Sequence, residues 1–326
     1  MAAAAASVGC CLLLASATGP VSHRFRPAQA VVMLTVSALV LSVACGAALT
    51  TIAVAVLATV TSIATEGHWS AAVVHADMPL PSWLGMSATV AVVVLLLRAG
   101  WRTARIAIAL GRAERLCRTM RAGSGPVVMV DDDTADAFTV AGIHGCVVIG
   151  RSLFSHLTTD ERQVVTAHEL SHLRRRHHLY VHLVDIAAAA NPLLRTIPRA
   201  VRIGVERWAD EDAAAGVGDR RVTGRAVARV ALVRSALARS ARSGASQALG
   251  GLPVGGVSTA TVLGVAQYAV ADRVQALLQP VHRGRSGVVA TVLLLSLLVL
   301  LLGVNSLDHL QDVIEGATWH RPLAPR

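Results

Sequence analysis

Lysine is missing altogether, so all 30 basic residues are arginines. Aromatic side chains are nearly as scarce, at three Phe, two Tyr and five Trp in 326 residues. The net charge of +10 invites a nucleic-acid reading, but so few rings leave little on which bases could stack. The arginines also cluster beside apolar stretches, which directs that charge toward a membrane surface. Charged residues of both signs reach only 15%, too few for the surface of an ordinary soluble domain. Five cysteines (Cys10, Cys11, Cys45, Cys117 and Cys146) form no CxxC pair, and three of them lie in apolar stretches. Neither a disulfide scaffold nor a cysteine-ligated metal site is supported, and the five read as small apolar residues.

What remains is 54% hydrophobic, with a mean hydropathy of +0.57, and is rich in Ala, Val, Gly and Arg, the bias of a high-GC bacterial genome. Four apolar blocks are long enough to cross a bilayer, at about residues 1–18, 30–60, 83–101 and 287–304. The first could be a signal peptide ending at Ala15-Ser16-Ala17, but no basic residue precedes its apolar core. The second is long enough for two short spans and is counted once, because no charge or firm turn divides it. Loop charges test the count. His23, Arg24 and Arg26 follow the first block, Glu66 and Asp77 the second, a run of arginines from Arg98 to Arg121 the third, and Asp308, Asp312 and Glu315 the fourth. The positive-inside rule then reads a multi-pass protein of the bacterial plasma membrane, with both termini outside. Residues 1–101 carry three spans, 102–286 form a cytoplasmic domain, 287–304 are the fourth span and 305–326 a short outer tail. The fold class expected is a mainly α membrane protein with about four transmembrane helices and an α+β domain.

Within 102–286, Val127–Val130 and Cys146–Ile149 read as short strands, with Asp131-Asp132-Asp133 as a solvated turn between them. Thr158-Thr159-Asp160-Glu161 fits a capping box and starts a helix that carries His168-Glu169-Leu170-Ser171-His172. Two imidazoles at i and i+4 share one helix face and can take two corners of a Zn²⁺ tetrahedron, while the adjacent carboxylate serves as a base. Val164 and Val165, a turn earlier on that face, turn it inward. His178 has the spacing of a metzincin third ligand, but Arg175 stands where that pattern needs the helix-breaking Gly. In an unbroken helix His177 and His178 leave the face and join Arg174–Arg176 as a basic surface. Glu206 is the better third ligand. Asp210, one turn on, would accept a hydrogen bond from a ligand imidazole. Glu211 and Asp212 read as an exposed acidic helix end, and Arg225, Arg229, Arg234, Arg239 and Arg242 as a solvated or headgroup-facing side.

On these residues the chain resembles the bacterial membrane zinc metallopeptidases of the β-lactam sensor-transducer (BlaR/MecR-like) family. It is more distantly similar to CaaX-type and heat-shock membrane proteases, in which HExxH is followed by ExxxD. The resemblance rests on Ile149–Leu153, His168–His172 with Arg174–His178, Asn191–Leu194, Glu206–Asp210, and Arg273-Val274 with Leu277-Leu278. It implies a gluzincin-like peptidase domain, although only about twenty residues follow the last span, where sensor-transducers carry a penicillin-binding domain. The expectation is a zinc endopeptidase with His168, His172 and Glu206 as metal ligands, Glu169 as general base and Asp210 behind the ligands. Its partners would be the bilayer and a protein or peptide substrate, a cytoplasmic repressor by resemblance, with no direct nucleic acid; self-association is left open. An intramembrane protease is disfavoured by the three arginines that follow the motif. The remaining alternative is a catalytically degenerate membrane scaffold or signalling protein with a structural zinc site.

Overall fold

The computed structural model describes residues 2–19, 24–121, 125–131, 137–142, 144–248, 270–280 and 286–318, with side chains 2–3 and 238–248 excepted. Three helices are long and apolar enough to cross a membrane: α2 (Pro27–Leu57), α5 (Ser82–Met120) and α12 (Ser286–Gly316). Pro27 opens α2 at a position that needs no N–H donor, and the helix then runs unbroken through Gly46 to Leu57. α1 (Ala2–Ser16) is shorter. Its 15 residues reach about 22 Å at 1.5 Å per residue, short of the ~30 Å hydrocarbon core, and it is not among the three candidate spans. It lies against α2 and α12.

α2 is the centre of the bundle, with α1, α5 and α12 packed along it. The outward faces of α5 and α12 keep Val90, Leu96, Leu97, Leu294 and Leu298 exposed, as lipid-facing helices do. At one end, two short helices, α3 (Thr61–Gly67) and α4 (Ala71–Asp77), cap the bundle. There Trp69 donates through Nε1 to the carbonyl of Ala58, and the Ser70 N–H donates to Ala317.

At the other end sits the polar domain. Its sheet has the order β1-β3-β2, with β1 (Val127–Val130) parallel and β2 (Ala137–Val140) antiparallel to β3 (Cys146–Gly150). β3 is buried along its whole length and paired on both sides, so no substrate can add to it; among the described residues β1 and β2 are the two edge strands, and β2 is the one that lines the cavity described below. β2 was not foreseen, and Asp132 and Asp133 of the expected turn lie outside the described residues. After α6 (Arg151–Ser155) come α7 (Thr159–Arg174) and α8 (His177–Ala190). A 3₁₀ turn at Pro192–Leu194 leads to α9 (Ile197–Val217), followed by α10 (Arg220–Ala248) and the helical residues 270–278, α11.

The apolar core does not stop at the edge of this domain. Val184, Ala187, Leu194, Ile197, Val201 and Val205 of α8, α9 and the turn between them join Met33, Leu34 and Leu41 of α2 in one buried cluster. Gly204 allows that approach, since a Cβ there would stand 2.7 Å from Val31 Cγ2. Valine is stiff at χ1 and cannot swing aside cheaply. Gly204→Leu is therefore expected to lever α9 off α2 and to destabilise the protein by about 1–3 kcal/mol, read as a lower melting temperature in detergent. An unchanged melting temperature would show that the contact is dispensable.

Candidate functional site

α7 begins at the capping box: Thr158 Oγ1 accepts from the Glu161 N–H, and the Glu161 carboxylate accepts from the Thr158 N–H. This fixes the helix phase, so that Val164, Val165, His168 and His172 face one cavity of about 530 Å³. α9 crosses α7 and brings Glu206 to the same place. His168 Nε2 and His172 Nε2 lie 3.2 Å apart, and the Glu206 carboxylate is 3.6 Å from the first and 3.5 Å from the second. These ligand atoms all fall within 4.8 Å of one another.

The donor set can be tested against a metal by its edges. A tetrahedral Zn²⁺ with bonds of 2.0–2.1 Å spaces its ligand atoms about 3.3 Å apart, close to all three observed separations. Two imidazole nitrogens facing each other at 3.2 Å also call for a cation or a proton between their lone pairs. The residues present fit the metal.

Each imidazole is held from behind. Asp210 Oδ1 lies 3.0 Å from His168 Nδ1. His172 turns its Nδ1 to Nδ1 of His177 at 3.0 Å. With Nε2 of His172 directed at the cluster, its Nδ1 carries the proton and donates to His177. The sequence reading placed His177 and His178 on a basic surface, and the structure corrects both. α7 ends at Arg174, Arg176 takes a left-handed conformation (φ 51°), and the chain turns back. His177 is consequently buried against Trp208, and His178 lines the cavity. No glycine or proline marks this break, so nothing in the sequence signalled it.

Glu169 is buried, and Thr139 Oγ1 of β2 donates to its Oε2 and to its backbone carbonyl, both at 2.9 Å. Burial raises its carboxyl above the usual glutamate range, against the pull of His168 and Thr139. Arg273 of α11 forks onto Asp210 at 2.7 Å for both bonds and reaches Glu206 Oε2 at 3.1 Å. Burial penalises Asp210, but Arg273 and His168 outweigh it and hold the carboxyl well below its ordinary value. Three surface assignments also change. Glu211 is paired with Arg220, and Asp212 accepts from Ser171 and Arg175, because α9 continues past both to Val217. Arg234 lines the cavity and donates to the Ala137 carbonyl at 2.9 Å. Side chains 239 and 242 lie outside the described residues.

Electrostatics set a pH dependence for metal uptake. Burial pulls the His168 imidazole down, but Asp210 and Glu206 override it and raise the group to about 9. Burial and His168 together push His172 down to about 4. In the metal-free protein His168 is therefore protonated at neutral pH, and a metal must displace that proton. Zn²⁺ affinity is expected to rise about tenfold per pH unit between pH 6.5 and 8.5, with one proton released, read by calorimetry in buffers of different ionisation enthalpy. A flat profile would count against the assignment of His168.

A profile of peptidase family M48 matches residues 111–197, from the last turns of α5 through the sheet, α7 and α8. The match contains His168, Glu169 and His172 and ends before Glu206. It supports a metallopeptidase of membrane type without selecting the sensor-transducer family. No curated protein and no solved structure matches the chain.

Proposed function

We propose that this protein is a membrane-bound zinc endopeptidase that hydrolyses a cytoplasmic or membrane-proximal protein chain. The observation that carries this reading is the meeting of His168, His172 and Glu206 in a cavity that Glu169 also lines. The first two ligands and the base come from one helix and the third from another. Zn²⁺ bound to these three residues supplies Lewis-acid polarisation of a carbonyl and makes water more acidic.

The chain's own residues account for the rest. Asp210 and His177 fix the two imidazoles in the tautomers that turn Nε2 inward. Thr139 pins one oxygen of Glu169. The buried carboxyl, with its raised proton affinity, is suited to take a proton from water and return it to the departing amine. The free edge of β2 lines the cavity through Phe138 and Thr139, so an extended substrate segment would add there as a strand. Val164, Val227 and Val230, which also line the cavity, offer aliphatic contact to its side chains.

The purified protein is expected to hold one zinc per chain, lost in His168→Ala. The cytoplasmic proteomes of cells carrying wild type or Glu169→Gln should differ in at least one truncated protein. Zinc-free protein, or identical proteomes, would favour a degenerate scaffold. The repressor substrate and the signalling role expected from the resemblance belong to this proposal, as do the cytoplasmic placement of the domain and the extracytoplasmic termini.

A further inference from the structure

Two cysteines outside the site stand closer than an ordinary contact. Cys117, three residues before the end of α5, and Cys146, the first residue of β3, have their sulfurs 2.9 Å apart. The chain offers its own comparison in Cys11 and Cys45, whose sulfurs lie 3.6 Å apart between α1 and α2. Both members of the close pair are fully buried, and their wall is apolar: Val140 and Val148, with Ala113, Met120, Val128 and Val130 around them. Among the described residues neither cysteine belongs to a group of three or more potential metal ligands, so the two thiols face each other and not a metal site.

We propose that Cys117 and Cys146 are a cross-linking site, oxidised by a hydroperoxide to a disulfide that ties the membrane helix α5 to the central strand of the sheet. The chemistry balances in two steps. A thiolate of the pair attacks the terminal OH oxygen of the hydroperoxide, the O–O bond breaks, and the sulfur becomes a sulfenic acid as the alkoxide leaves, hydroxide in the case of hydrogen peroxide. The second cysteine attacks that sulfur, the S–S bond forms, and water departs with its proton. Two thiols and one hydroperoxide thus give one disulfide, one water and the reduced peroxide. Only a small oxidant suits so closed a pocket. Burial, and then the Cys117 sulfur, push the Cys146 thiol up to about 12, which keeps the reaction slow. In a cytoplasmic domain such a bond would be transient and would follow oxidative conditions. Its place gives it consequence, since β3 pairs with β2, whose Thr139 holds Glu169.

The test uses the full chain in detergent micelles, treated overnight with hydrogen peroxide at mildly alkaline pH, quenched, denatured and alkylated without reductant. Cleavage after arginine releases Leu116–Arg118 and residues 122–151. The expected product joins these two peptides with the loss of two hydrogens, and reductant separates them. Cys10, Cys11 and Cys45 should carry the alkyl label. The oxidised protein should melt about 5–10 °C above the reduced one, because a loop closed across 29 residues loses entropy in the unfolded chain. Cys117→Ser should abolish both the joined peptide and the shift. The proposal falls if all five cysteines take up label after oxidation. It also falls if the bond forms between other cysteines, or only when the peroxide is added after denaturation.

Discussion

Glu169→Gln is expected to lower peptide cleavage by about 10²–10⁴-fold while leaving zinc content unchanged. Glutamine has the shape of the carboxylate and can still accept from Thr139, so α7 and the two imidazoles should not move. What it lacks is an oxygen able to take a proton. The pKa direction adds a second readout. Glu169's carboxyl titrates higher in the folded chain than in the unfolded one, so its contribution is favourable at acid pH and is lost as pH rises through the folded value. At neutral pH a buried carboxylate is being replaced by a neutral amide, and the variant should melt no lower than wild type. Cleavage at the wild-type rate would remove Glu169 as the base. Loss of zinc with the activity would instead make it a ligand.

The second large effect falls on Arg273→Met. Asp210 is buried, and two of its contacts are the fork of Arg273. Removing the cation leaves a buried carboxylate facing one imidazole, a loss of about 3–5 kcal/mol measured on the metal-free protein. Zinc affinity should fall about 10–100-fold, because Asp210 and Glu206 both lose the partner that orients them. Arg273→Lys keeps the charge without the fork and should lie between. The double variant Asp210→Asn with Arg273→Met removes both charges together and should recover stability but not affinity. A single variant with wild-type stability and zinc affinity would show that Arg273 is a bystander.

Local rules made α7 legible. The capping box set its start, its phase put the two histidines and Val164 on one face, and Glu206 with Asp210 showed the same four-residue spacing on a second helix. The family match over 111–197 agrees with the coarser part of that reading. Less was legible where the contact is long-range or the signal short. β2 is four residues long, too brief for alternation to register, yet it carries Thr139. Arg273 meets Asp210 across 63 residues of sequence, and although the resemblance includes Arg273, no local spacing rule gives it a partner. His177 was lost to an assumption of continuity. An arginine in a left-handed turn is unfavourable by itself, and here the packing of His177 under Trp208 holds it.

The shared apolar layer of α2, α8 and α9 means that the polar domain has no floor of its own. A fragment spanning 102–286 would present Val184, Ala187, Leu194, Ile197 and Val201 to water and would be expected to aggregate. The same layer removes mechanical slack. Gly204 stands against α2 two residues before Glu206, so a shift of that apolar helix would carry the carboxylate with it.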